Sequence, residues 1–182
     1  GGPKSLQQVI PYLPKNLDAP VVLVQHMPAG FTLSLSQRLN EISEVEVKEA
    51  QEGDILKNGA VYIAPGGKHM RVMKKGTDYC IKLSDEPAID GLRPCANVMY
   101  ESLENCQYDE ITCVVLTGMG ADGTKGIQGL AAHHKKLHVI AQDADTCVVY
   151  GMPKAIAQTG LVDEVVPLGS VAETITKNVG VS

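Results

Sequence analysis

Val114-Val115-Leu116-Thr117-Gly118-Met119-Gly120-Ala121-Asp122-Gly123 is the stretch on which the fold turns. An apolar run closed by glycines reads as a buried strand that ends in a tight strand-to-helix corner. A second run, Val21-Val22-Leu23-Val24-Gln25-His26, has the same grammar. It is apolar on both faces, as a central parallel strand covered by helices must be. In an open α/β sheet the crevice lies beyond the carboxyl ends of the strands. His26 and Asp122, each just past a strand, can therefore converge although they are distant in the chain.

Working outward, strand-like and helical segments alternate. A helix is expected over Lys4 to Leu13, a strand over Pro20 to Gln25, and a helix from Thr32 to Ile42. Thr32 can cap that helix, and Leu35, Leu39 and Ile42 recur at the spacing of one buried face. From Glu46 to Ser84 the texture shifts to short β-like pieces at Val45–Val47, Ala60–Ala64, Met70–Met73 and Tyr79–Leu83, separated by Gly, Asn and Pro turns. Such punctuation predicts antiparallel hairpins. The alternation then resumes: helix Ala96–Asn105, strand Ile111–Leu116, a helix after Gly123, strand His138–Ala141, helix Pro153–Gln158, strand Glu164–Val166, and a capped helix Ser170–Asn178. The fold class is α/β, a doubly wound and mostly parallel sheet with helices on both faces and an antiparallel hairpin portion.

Composition narrows the function classes. The chain has 182 residues, 44% hydrophobic and 20% charged, which fits one ordinary domain over residues 1–182. A net charge of −5 argues against nucleic acid or an anionic membrane as partner, because both reward clustered Lys and Arg. The basic pairs Lys74-Lys75 and Lys135-Lys136 read as solvated. Five cysteines without a CxxC pair suit reduced thiols in a cytosol. No apolar stretch approaches the ~20 residues of a membrane span. The start, Gly1-Gly2-Pro3-Lys4-Ser5, has no initiator methionine and points to an N-terminal truncation.

The glycine turn supports more than one chemistry. Gly118-Met119-Gly120-Ala121-Asp122-Gly123 fits G-x-G-x-x-G between a strand and a helix, and Asp143 follows at the ~20-residue distance of a dinucleotide fingerprint. An NAD(P)-binding oxidoreductase is therefore one reading. Against it, Asp122 would set a carboxylate beside a pyrophosphate. In the other reading, Asp122 orients His26 as a general base, and the turn exposes amides, that of Met119 among them, to a developing oxyanion. A plain structural turn with a capping Asp is the third. A His–Asp pair needs a nucleophile, and no serine offers itself; Cys95, near a helix start, could have a lowered pKa and serve, but a buried or helix-facing thiol is the favoured reading of it. Lys68 and His69 fall in an expected hairpin loop, and Cys147–Pro153 reads either as a crevice wall or as packing alone. His133, His134 and His138 lack an acidic partner, so no metal is expected, and no cofactor.

Gln25-His26-Met27-Pro28 with Gly30-Phe31, Tyr62-Ile63-Ala64-Pro65-Gly66 with His69-Met70, Arg93-Pro94, Leu116-Thr117-Gly118-Met119-Gly120 with Asp122-Gly123, and Cys147–Pro153 occur in this order. Together they resemble the catalytic domain of the bacterial chemotaxis receptor methylesterases, from Gly1 to about Pro167. The resemblance implies a Ser-His-Asp hydrolase that removes methyl esters from glutamates on the cytoplasmic helices of chemoreceptors, with deamidation of receptor glutamines in many relatives. It matches His26 to the base, Asp122 to the orienting acid and Met119 to an oxyanion donor. Gly1-Gly2 match the glycines of a Ser-Thr-Gly-Gly turn, so the nucleophile falls just upstream of residue 1, and Cys95 stands where relatives often have serine. A receiver domain is implied upstream, and none is visible here. The literal sequence also fits a non-catalytic receptor-binding fragment.

Overall fold

The computed structural model describes residues 2–182; Gly1, half of the glycine pair matched above, lies outside them. Helix α1 (Gly2–Leu6) leads by a 3-10 turn, Ile10–Tyr12, to strand β1 (Val21–Leu23) and helix α2 (Phe31–Ile42). Strands β2 (Glu46–Glu49), β3 (Ala60–Ile63), β4 (His69–Lys75) and β5 (Asp78–Ser84) precede helix α3 (Ala96–Glu101). The second half runs β6 (Ile111–Val115), α4 (Thr124–Ala132), β7 (Leu137–Gln142), α5 (Met152–Ala157), β8 (Glu164–Val166) and α6 (Val171–Val179).

The parallel strands form two three-stranded halves, β1-β3-β2 and β6-β7-β8. Period-two alternation sends each strand's residues to opposite layers. Val21, Leu23, Val114 and Leu116 meet α1, α2 and α6; Val22, Val24, Cys113 and Val115 meet α3, α4, α5 and the β4–β5 hairpin. Both halves thus share the same two helical layers, the arrangement of a doubly wound α/β fold.

Three local expectations are corrected. The helix over Lys4–Leu13 stops early because Pro11 has no N–H and its ring excludes the carbonyl four residues back. Between Glu46 and Ser84 only β4 and β5 are antiparallel; β2 pairs with β3 in parallel, Val47 opposite Val61. The connection that looked like a hairpin loop is a crossover tied to the edge of β5, with Gly53 N donating to Ile81 O at 2.8 Å and Leu56 N to Tyr79 O at 2.9 Å. Ser170 precedes α6 without a side-chain cap. Among the described residues no helix is long and apolar enough to cross a membrane.

Candidate active site

His26 follows β1, and Asp122 sits in the turn between β6 and α4. His26 Nε2 lies 2.7 Å from Asp122 Oδ2, bringing together the two side chains singled out in the sequence. The imidazole is 28% exposed and the carboxylate 2%, so one partner is open to the cleft and the other is locked beneath it. With the proton on Nε2 donated to Asp122, Nδ1 is the nitrogen left to accept a proton.

Asp122 is a hub. Oδ2 also accepts from Ala96 N at 2.7 Å, while Oδ1 accepts from Asn97 N at 3.0 Å and from the Cys95 thiol at 3.3 Å. Burial opposes ionisation of this carboxyl, but the hydrogen bonds from His26, Ala96, Asn97 and Cys95 outweigh it and hold its pKa below the usual carboxylate value. The group is therefore an ionised acceptor that fixes the imidazole tautomer. Asn97 completes the scaffold: its Oδ1 accepts from Gly123 N and Gly126 N, both at 2.9 Å, and so joins α3 to the start of α4.

Of the two readings of Cys95, the buried thiol is the one the structure shows, and the lowered pKa is not. Burial, and then the charge of Asp122, push the thiol up, so it serves as a protonated donor and not as a thiolate. Neither the Ala96 and Asn97 amides nor the Asn97 side chain was legible beforehand: backbone donors leave no side-chain signature, and Asn97 Oδ1 meets amides brought in from 26 and 29 residues away. Thr32 does not cap α2, whose N-cap is Gly30. Its buried hydroxyl donates to Glu49 Oε2 at 2.6 Å and accepts from Gly66 N at 2.9 Å, tying α2 to the strand ends beside His26. Gly66 packs so closely on the Met27-Pro28 backbone that a Cβ there would overlap both carbonyl groups.

Met119 projects its side chain into solvent at 82% exposure, and it lines the same cleft as His26 and Asp122. Gly120 has φ +83°, the left-handed conformation that turns the backbone of this corner outward. The Cys147–Pro153 segment braces it: Gly118 N donates to Val149 O at 3.1 Å, and Gly118 O accepts from Met152 N at 2.8 Å. The dinucleotide reading meets a physical obstacle here, because the Gly123 and Gly126 amides that a pyrophosphate would need are committed to Asn97. Asp143 is likewise engaged with Thr146. His69, expected in a loop, is instead the buried first residue of β4, with Nε2 2.9 Å from Pro87 O. His133 and His138 face separate acids, Glu104 and Glu164. Among the described residues no three His, Cys, Asp or Glu side chains are grouped to hold a metal ion.

The family model described as CheB methylesterase matches residues 1–175. A protein-glutamate methylesterase/protein-glutamine glutaminase of Oceanobacillus iheyensis is 48% identical over 97% of this chain and 50% of its own length. The protein of the same name from Bacillus subtilis is 46% identical over 97% of this chain and 49% of its own length. The crystal structure of the Thermotoga maritima CheB methylesterase catalytic domain superposes with a TM-score of 0.93 at 42% identity, covering 98% of this chain and 94% of that one. The chain spans about half the length of the curated relatives it matches.

Proposed function

The chain belongs to the CheB methylesterase family, and from that premise we propose that it is the catalytic domain of a protein-glutamate methylesterase that also deamidates glutamine. The 2.7 Å contact between His26 Nε2 and Asp122 Oδ2 carries the reading. An ionised, buried acid holding one imidazole nitrogen leaves the other poised as a base, which is the arrangement acyl transfer requires.

The nucleophile in this proposal is a serine directly upstream of residue 1. Its hydroxyl attacks the carbonyl carbon of a glutamate γ-methyl ester while His26 Nδ1 takes the proton. The tetrahedral oxyanion is held by backbone amides of the Gly118–Gly120 turn, that of Met119 included. Collapse breaks the C–O bond to methanol, with His26 returning the proton to the leaving oxygen. Water then attacks the acyl-enzyme by the same route and releases the glutamate carboxylate. A glutamine substrate follows the same steps with ammonia as leaving group, and no metal or organic cofactor is needed.

Residues 1–182 form one catalytic domain, with a receiver domain preceding it in the full-length protein. The substrates are glutamates on the cytoplasmic helices of chemotaxis receptors, and the enzyme acts in the cytosol. The test is methanol release from methylated receptor by a form carrying Ser-Thr directly before Gly1. Turnover should fall by orders of magnitude in His26→Ala; an unchanged rate in that variant removes the assignment.

A further inference from the structure

Gln142 closes β7 with a fully buried side chain. A carboxamide removed from water must find its acceptors and donors inside the protein. Its Oε1 accepts from Thr117 N at 2.8 Å, and its Nε2 donates to Thr146 O at 2.9 Å and to Thr146 Oγ1 at 3.2 Å. A carboxamide supplies an acceptor and a donor from one uncharged planar group, whereas a carboxylate lacks the donor and an apolar chain lacks both. The two ends of the Gln142 amide thus tie together two segments that the sheet itself does not join.

The first of those segments is the joint between β6 and the glycine corner. The ladder of β6 with β7 ends at Val115 opposite Ala141, and the backbone after β7 leans towards β8, Asp143 N donating to Val166 O at 2.9 Å. Beyond this point the chain leaving β6 takes a new neighbour, with Gly118 bridged in parallel to Tyr150. Thr117 falls between the two partners and is buried, so its N–H would be left without an acceptor. Gln142 Oε1 fills the place, and the side chain stands in for one peptide unit of the ladder. The new neighbour is fastened to the same residue: Thr117 Oγ1 donates to Val149 O at 3.0 Å and accepts from Val149 N at 2.9 Å. Gly151 lies so close that a Cβ there would come within 2.6 Å of Gly118 O and 3.0 Å of Gly120 N. At the far end of the amide, Thr146 is itself held, its N and Oγ1 donating to Asp143 Oδ1 at 3.0 and 2.6 Å and its Oγ1 accepting from Leu168 N at 3.0 Å. Asp143, the acid of the dinucleotide spacing, is therefore an anchor in a chain of bonds that runs from the end of β8 to the glycine corner.

We propose that Gln142 is a positioning residue for the oxyanion corner: by fixing Thr117 it sets the direction of the Met119 amide two residues on. Gln142 does not line the cleft, so it acts on the reaction only through the backbone it holds. The proposal rests on the esterase reading above, in which the Met119 amide meets the developing charge. Donors to an oxyanion are effective when they are already aimed at it and need no reorganisation during reaction. A corner released at Thr117 can still bind the neutral ester carbonyl, but it meets the tetrahedral oxyanion with a misdirected amide. The loss therefore falls on the transition state and spares the ground state.

The experiment compares Gln142→Met and Gln142→Glu with the parent in the full-length protein, by hydrogen exchange and by hydrolysis of a glutamate γ-methyl ester peptide. Methionine keeps the length and loses every hydrogen bond. In Gln142→Met the Thr117 and Gly118 amides should exchange about tenfold faster or more, while Val139–Ala141 in β7 stay protected. Removal of one oxyanion donor costs about 100–1,000-fold in kcat, and its misdirection should cost part of that, about 10–100-fold, with KM within about twofold of the parent. The acid limb of the pH profile should not move, because Gln142 makes no contact with His26 or Asp122. Glutamate keeps the acceptor for Thr117 N at every pH but supplies a donor to Thr146 O only when protonated. Its kcat, taken as a ratio to the parent, should therefore recover as pH falls, which a loss of packing alone would not do; this variant carries the test if Gln142→Met does not fold. Unchanged exchange at Thr117 and Gly118 overturns the clamp. Faster exchange with kcat unchanged, or a rise in KM alone, overturns the positioning role. Faster exchange in an enzyme whose parent hydrolyses no ester keeps the clamp and removes the esterase reading.

Discussion

Asp122→Asn is the substitution that interrogates the site most directly, because it preserves shape and removes charge. Asp122 Oδ2 accepts from His26 and Ala96, and Oδ1 accepts from Asn97 and Cys95. An amide presents one oxygen and one NH2. Whichever way it is flipped, its NH2 faces a backbone N–H, Ala96 in one orientation and Asn97 in the other. One buried amide is left unsatisfied at a cost of about 1–3 kcal/mol, and the charge-assisted bonds that remain lose part of their strength. Together these give about 3–5 kcal/mol, or a fall in Tm of about 6–20 °C for a domain of this size. The effect must also titrate. The folded-state pKa of Asp122 is depressed, so the stability it contributes is present above its unfolded value of ~3.9 and is lost as pH falls through the lower folded value. Thermal melts of the parent and Asp122→Asn should therefore differ fully at pH 7 and converge below about pH 4. A gap under about 1 kcal/mol at pH 7, or one that stays constant into acid, would refute the ionised-hub account.

Other consequences are independent of that hub. Thr32→Val removes the acceptor of the buried Gly66 amide and the donor to Glu49; urea denaturation should show a loss of about 1–3 kcal/mol, with Thr32→Ser close to the parent. Gly66→Ala forces a Cβ into the Met27-Pro28 carbonyls, so in a Ser-bearing form kcat/KM should drop about 100-fold through displacement of His26, and parent-like turnover would show that the loop yields without moving the base. Burial pushes the Cys113 thiol up from 9.0 to about 12, so its contribution is intact below pH 9 and is lost as pH rises towards 12. The three-unit shift amounts to about 4 kcal/mol at most. In reducing buffer the stability gap between the parent and Cys113→Ala should narrow above pH 9, and a constant gap would contradict the assigned burial.

The parts of the fold that were legible in the sequence are those fixed by local chemistry. The helix ending at Ile42 and the strands at Ile111 and Glu164 stand where periodicity put them, to within a residue at most boundaries. Partner choice was not legible, because it is a property of distant surfaces. Gly53 and Gly59 both take positive φ and look like hairpin turns, yet they bound a crossover whose hydrogen bonds go to β5. The same division holds at the site. His26 and Asp122 advertise themselves by side-chain type at strand ends, whereas the Ala96 and Asn97 amides act through the backbone. Cys95 is the buried thiol that its surroundings favoured, and what the sequence did not reveal is its partner: the anion at this helix start comes from 27 residues further along the chain.

The glycine turn illustrates how one backbone can be committed to one chemistry and closed to another. A strand, a glycine corner and a helix N-terminus present amides that suit a pyrophosphate or an oxyanion equally well. What separates the two outcomes here is where the amides are spent. Asn97 takes Gly123 N and Gly126 N at the base of α4, and Asp122 takes the amides at the start of α3. Two helix N-termini are thereby satisfied internally, and neither can receive a large anion. The corner at Gly118–Gly120 lines the cleft beside His26, and the proposed esterase mechanism uses it for a single oxygen that becomes charged only during reaction. In the proposed reading the carboxylate that would repel a phosphate and the carboxylate that orients the imidazole are the same residue, Asp122, with Asn97 closing the amides of α4 beside it.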